Sequence, residues 1–256
     1  MSRKRQERHS IGKVYLVGSG PGHPGLATIR AVEVLKNVDV VVYDHLVGKG
    51  ILDMVPPGVE RIDAGKCGSH HKLQQDEINE LMAKRALAGQ TVARLKGGDP
   101  YLFGRGGEEA EFLIAKGVKV EVVPGVTSAL AVPAAAGIPV THRDFASAVT
   151  IVTGHDSPTK KGGPVDWAGI ARLDSTIVVL MGMKNLGRIA ARLMSEGKPG
   201  NTPVAIIEKG TCSDQVVTVG DLKTIHRKAR EAGAKAPAII VIGDVVRLRE
   251  RLGGIP

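Results

Sequence analysis

RLKGGDPYLFGRGG, residues 94–107, lies between an extended run at 90–95 and a helix-like run at 108–116. Glycine lacks a Cβ and admits backbone angles closed to other residues, so such a segment lets a ligand lie against the main chain. Its polar members Arg94, Lys96, Asp99 and Arg105 crowd close in sequence. Strand, glycine loop and helix in that order mark the carboxyl end of a strand in an open α/β sheet, where such sheets bind ligands. The segment thus predicts both the fold class and the place of a site.

The same grammar runs outward in both directions. Upstream, a strand at 13–17 leads into GSGPGHPG and a helical run at 26–35 in which Leu26, Ile29, Val32 and Leu35 share a face. Pro21 and Pro24 spoil the dinucleotide fingerprint, so a nicotinamide-type Rossmann site is disfavoured. A strand at 38–43 ends in Asp44 and His45, polar groups at a carboxyl end; Asp44 serves a ligand or caps the following turn. A third strand at 59–64 precedes GKCGSHHK. Cys67, His70 and His71 make a poor tetrahedral metal set, so no metal is predicted and the segment reads as a polar, substrate-side loop.

A helix at 74–88 and strands at 90–95 and 118–123 complete the first half. Thr127 and Ser128 then open an Ala-rich helix, where backbone N–H groups and hydroxyls hold a ligand or simply cap. PVTHRD, 139–144, breaks regular structure and predicts the joint between domains, placing the first at 12–138 and the second at 139–256. The second half repeats the alternation: strands at 149–153, 176–180, 204–207, 216–219 and 238–242, with helices at 186–194 and 221–231.

Length and composition fit that organisation. A chain of 256 residues accommodates two ordinary domains, and with 3% aromatics its core is aliphatic, as in parallel strands covered on both faces. The net charge of +9 predicts an acidic partner. Outside the basic start, MSRKRQERHS, the cations are dispersed and lack the patterns of nucleic-acid readers, so a small polyanion is the better match. The start itself, 1–11, reads as a disordered leader without a signal-peptide core. Two distant cysteines and no apolar run near a membrane span predict a reducing, cytoplasmic setting.

The motifs VYLVGSGPG, VVYDHLV, RLKGGDPYLFGRGGEE, VVPGVTSA, GIPVTHRD, VTGH and MGM occur in that order between about 12 and 251. In this the chain resembles the tetrapyrrole methyltransferase family, whose members use S-adenosylmethionine. THRD after GIP narrows the resemblance toward members that act on uroporphyrinogen III rather than on later corrin precursors. The resemblance implies two α/β domains, a mostly parallel sheet in the first and a mixed sheet in the second, with the active-site cleft between them. It implies a homodimer that binds neither nucleic acid nor membrane. It also implies C-methylation of uroporphyrinogen III at carbons 2 and 7, giving precorrin-2 via precorrin-1 and S-adenosylhomocysteine. A sibling acting on a later precorrin, or a non-catalytic protein on the same fold, are the rivals.

Site residues follow from the same resemblance. Pro21, Gly97, Gly98, Asp99, Leu102, Thr127, Ser128, Met181, Gly210, Pro237 and Ala238 are implied to line S-adenosylmethionine, much of it through main chain. Asp44 matches the family's proposed general base and Lys66 its proposed proton donor. The tetrapyrrole is a polycarboxylate, and Arg94, Arg105 and Arg143 are the arginines expected to grip it in forked pairs, each with a competing role in an interdomain or helix-end salt bridge. One departure stands out: the first loop reads GPGH where the family reads GPGD, putting His23 at an aspartate position. An imidazole there meets a substrate carboxylate, or the loop tolerates the exchange.

Overall fold

The computed structural model describes residues 11–65, 74–155 and 165–253. Two compact units divide between Thr127 and Ser128, each built around one five-stranded sheet.

In the first unit the strands are β1 (Lys13–Gly18), β2 (Val40–Tyr43), β3 (Glu60–Asp63), β4 (Val92–Lys96) and β5 (Lys119–Val123). Their order is β3-β2-β4-β1-β5 and every pairing is parallel, so all five carboxyl ends lie along one edge. The strands are valine-rich because β-branched side chains suit a pleated surface buried on both faces. Helices α1 (Ile29–Leu35), α2 (Lys49–Leu52), α3 (Gln75–Leu87) and α4 (Gly106–Ala115) connect them. On one face Val14, Val40, Val42 and Val92 pack with Ile78, Met82, Ala110 and Leu113 of α3 and α4; on the other Val17, Val41, Ala93 and Leu95 pack with Ala31, Val34 and Ile51. Alternation along β4 thus sends successive residues to opposite layers.

The second unit holds β6 (Val149–Thr153), β7 (Thr176–Leu180), β8 (Pro203–Glu208), β9 (Val216–Asp221) and β10 (Ala238–Ile242), in the order β6-β7-β10-β8-β9. Only β6 with β7 is parallel; β10 runs antiparallel between β7 and β8, and β9 antiparallel to β8. This is the mixed sheet expected. Its helices are α5 (Ser128–Ala135), α6 (Trp167–Arg172), α7 (Leu186–Ser195), α8 (Ile225–Glu231) and α9 (Arg249–Leu252). Leu186, Ile189, Ala190 and Leu193 form the inward stripe of α7.

The observed boundary precedes the expected joint at 139. Helix α5 lies against β7 and β10, so it joins the second unit, while 139–144 is an irregular turn inside that unit, closed by a bridge between His142 and Ala146. Two helices also begin later than their apolar spacing predicts. The Thr28 hydroxyl accepts from Ala31 N–H and starts α1 after a 3-10 turn at Pro24–Leu26. Asp221 ends β9 and accepts from Thr224 N–H and hydroxyl, which delays α8 to Ile225.

Candidate active site

At the carboxyl edge of the first sheet three loops close on one another through bare main chain. Gly98 N–H donates to Gly20 O at 2.7 Å and Gly20 N–H returns to Gly98 O at 3.2 Å, joining the loops after β1 and β4. A Cβ on Gly125 would stand 2.2 Å from Gly98 O and 2.7 Å from Gly18 Cα, so the loop after β5 also needs glycine to fit. Asp99 locks this arrangement: Oδ1 accepts from Tyr101 N–H at 2.8 Å and Oδ2 from Gly125 N–H at 3.1 Å. Pro21, Gly97, Gly98, Asp99 and half-buried Leu102 belong to this loop set, and Thr127 follows closely after Gly125. His23 is exposed and caps the 3-10 turn, its Nδ1 accepting from Gly25 N–H at 3.0 Å.

Directly beneath lies a buried charge cluster. Tyr43 pairs with Leu95, so Asp44, the next residue, emerges beside the end of β4, its N–H donating to Leu95 O at 3.3 Å. Arg94 and Lys96, 2% and 3% exposed, point from β4 into the α3/α4 layer. Arg94 Nη2 donates to Asp44 Oδ1 at 2.5 Å and its Nε to Glu109 Oε1 at 3.1 Å. Lys96 Nζ donates to the same Glu109 oxygen at 2.9 Å and stands 3.8 Å from Asp44 Oδ2. Gln75 of α3 is a third donor to Glu109 Oε1, at 2.9 Å. Burial pushes the Lys96 ammonium below the ordinary lysine range; Arg94 beside it adds to the effect, while Glu109 and Asp44 oppose it. Asp44, with 31% of its side chain exposed, is the member of the cluster that faces solvent.

The Arg94 guanidinium is buried and hydrogen-bonded to Asp44 and Glu109, which is the ion-pair role of the two open to it, and it also approaches Val42 O at 3.5 Å. Arg105 is exposed, takes φ of +60° at the start of α4 and pairs with Glu108 at 2.6 Å. Arg143 is exposed in the turn at 142–146. Lys66, Cys67, His70 and His71 lie outside the described residues. Sequence reasoning missed Lys96 as a partner of Asp44 and Glu109 as the carboxylate that binds Arg94 and Lys96. Spacing held the signal for Glu109, which falls with Gly106, Ala110 and Leu113 on the inward stripe of α4.

In the second unit the corresponding residues share one edge of the sheet. Met181 follows β7 with φ of +56°, and Gly210 follows β8 between Lys209 and Thr211, both at positive φ. A Cβ on Gly210 would lie 2.2 Å from Val132 Cγ1 of α5, so glycine lets this loop rest on the helix. Ala238 pairs with Glu208 across the antiparallel ladder, and Pro237 O accepts from Lys209 N–H at 3.1 Å, which brings Pro237 and Ala238 beside Gly210. Ser128 is the first residue of α5. Surface grooves around Leu81 and Leu87 in the first unit and around Asp221 and Arg247 in the second contain none of these residues.

Backbone-lined loops above a shielded ion cluster suit a polar, multi-part ligand held by main chain. Among the described residues no three His, Cys, Asp or Glu side chains converge on a metal position, and no helix is long and apolar enough to cross a membrane.

Comparison with known proteins matches residues 13–226 to the tetrapyrrole (corrin/porphyrin) methylases. The S-adenosyl-L-methionine-dependent uroporphyrinogen III methyltransferase of Methanosarcina barkeri is 56% identical over 95% of this chain and 96% of that one. The uroporphyrin-III C-methyltransferase of Thermus thermophilus, solved with S-adenyl homocysteine, is 38% identical, with a TM-score of 0.78 over 93% and 94% of the two chains. A cobalt precorrin-4 methyltransferase of cobalamin biosynthesis gives a TM-score of 0.81 at 28% identity, over 93% of this chain and 98% of that one. The chain spans about half the length of the sirohaem synthases it also matches, 50% in that of Thiobacillus denitrificans.

Proposed function

The chain belongs to the tetrapyrrole methylases and is an S-adenosylmethionine-dependent tetrapyrrole methyltransferase, and we propose that it methylates uroporphyrinogen III at carbons 2 and 7, giving precorrin-2 via precorrin-1. The observation that carries the choice of substrate is the 56% identity, over nearly the whole of both chains, to a uroporphyrinogen III methyltransferase.

The residues present fit the cofactor. Glycine loops pack closely at the carboxyl edge of the first sheet, and the Gly210 loop sits on Val132, bare-backbone turns of the kind an adenosyl and amino-acid moiety engages. Pro21, Gly97, Gly98, Asp99, Leu102, Thr127, Ser128, Met181, Gly210, Pro237 and Ala238 are the residues assigned to it. When bound, S-adenosylmethionine supplies an activated sulfonium methyl. No covalent nucleophile is needed from the protein, whose contribution is alignment and exclusion of water. C-methylation joins the methyl to a ring carbon, releases S-adenosylhomocysteine and leaves the macrocycle to shed a proton. Asp44, facing solvent above the ion cluster, is the carboxylate that takes it or offsets the positive charge that precedes its loss. Lys66, which the resemblance makes a proton donor, serves equally to neutralise substrate carboxylates, and Arg105 and Arg143 hold others. The working enzyme is a homodimer, which sedimentation tests; a single-chain mass at assay concentration counts against it.

Incubation with uroporphyrinogen III and S-adenosylmethionine, followed by mass and carbon-13 analysis, tests the reaction. Gain of two methyl groups at carbons 2 and 7 is expected. A later precorrin is the alternative that the likeness to the precorrin-4 enzyme favours. Methylation of such a substrate with none of uroporphyrinogen III would establish it.

A further inference from the structure

The ion cluster contains more charge than the burial of Arg94 requires. Arg94 and Lys96 sit two residues apart on β4 and share the face covered by α3 and α4, which is otherwise apolar. Burying a second cation there costs several kcal/mol unless it is paired, and apolar residues of similar volume commonly serve stability better. Glu109 is nevertheless fully buried at the back of the cluster. Its Oε1 gathers Arg94, Lys96 and Gln75, while its Oε2 has no hydrogen-bond partner among the described residues. Three donors on one oxygen pin the two cations in place rather than neutralise each separately.

The pinned cations then flank the one carboxylate that faces solvent. Arg94 hydrogen-bonds Oδ1 of Asp44, and Lys96 holds a charge contact with Oδ2 at 3.8 Å, beyond hydrogen-bonding range. The terminal torsion of an aspartate is broad, so a partner on one oxygen alone leaves the carboxylate plane free to swing. We infer that Lys96, anchored by Glu109, is a positioning residue for Asp44 that sets the plane and outward direction of its carboxylate. The inference rests on the reading that Asp44 serves the methyl-transfer step.

The test compares wild type, K96Q, K96M, K96R, D44N and the D44N/K96M double variant, with S-adenosylhomocysteine binding by calorimetry as the check of folding. K96M is an apolar near-isostere and carries the test if K96Q does not fold. Loss of the cation is expected to lower kcat about 10- to 100-fold, as misplacement of a reacting group does, with KM for uroporphyrinogen III little changed. K96R is expected to regain most of the rate, and adding K96M to D44N to change the rate less than about twofold, since residues acting through one another are not additive. Wild-type kcat in folded K96M, an undiminished K96M effect in the D44N background, or K96R as slow as K96M would each overturn the inference. A wild type that leaves uroporphyrinogen III unmethylated overturns the functional reading and the inference together. An active wild type matched by K96M overturns the inference alone.

Discussion

Glu109 receives three donors on one oxygen in a largely aliphatic layer, and its loss would leave Lys96 without a hydrogen-bonded carboxylate and both cations to share Asp44. Glu109→Gln is therefore expected to destabilise the first unit by about 3–5 kcal/mol, read from denaturant midpoints. Lys96 gives a signed pH dependence. Its folded-state affinity for a proton lies below the ordinary value of 10.5, so between the two values the unfolded chain binds the proton that the folded chain has released. Stability rises with pH through that window relative to K96M, and a flat difference would contradict it. Among the described residues the charges facing Lys96 are Arg94, Glu109, Asp44 and, at longer range, Glu108. His23 is simpler: Nδ1 accepts from Gly25 N–H, a task an aspartate oxygen performs equally. His23→Asp should leave thermal stability nearly unchanged while His23→Ala costs about 1 kcal/mol, the usual effect of a lost cap.

Among elements, the strand, loop and helix at 92–115 do most to fix the site. Strand β4 presents cations to one layer and Ala93 and Leu95 to the other, and α4 returns Glu109 to meet the cations. The loop between them closes on β1 and β5 by glycine contacts that tolerate no side chain. Gly125→Ala would set a methyl 2.2 Å from Gly98 O, so overpacking of about 1–3 kcal/mol and weaker S-adenosylhomocysteine binding are expected by calorimetry. Alternation and glycine punctuation made this element readable in advance. The late starts of α1 and α8 were not, because Thr28, Asp221 and Thr224 spend their side chains on backbone N–H groups, a choice that apolar spacing does not report.

For the molecule as a whole, the charge of +9 and the exposed Arg105 and Arg143 fit a polycarboxylate substrate. Raising salt should therefore increase KM for uroporphyrinogen III far more than that for S-adenosylmethionine. Arg143→Ala should raise the former about tenfold, the effect of roughly 1.5 kcal/mol from one charged hydrogen bond. Local patterns decided a great deal: two α/β units, glycine loops at a sheet edge, and Asp44 at a strand end, because alternation and glycine loops are properties of neighbours in the chain. The boundary at Thr127 followed from α5 packing on β7 and β10, which its Ala-rich sequence does not announce. The role of Arg94 was likewise beyond the sequence. Its partners lie 50 residues before it and 15 after, and an arginine beside a glycine loop reads the same whether it meets a ligand or a buried carboxylate. Only the parallel register of β2 with β4, and the return of α4 over that face, turned it inward, since burial of a charge depends on which distant groups fold around it.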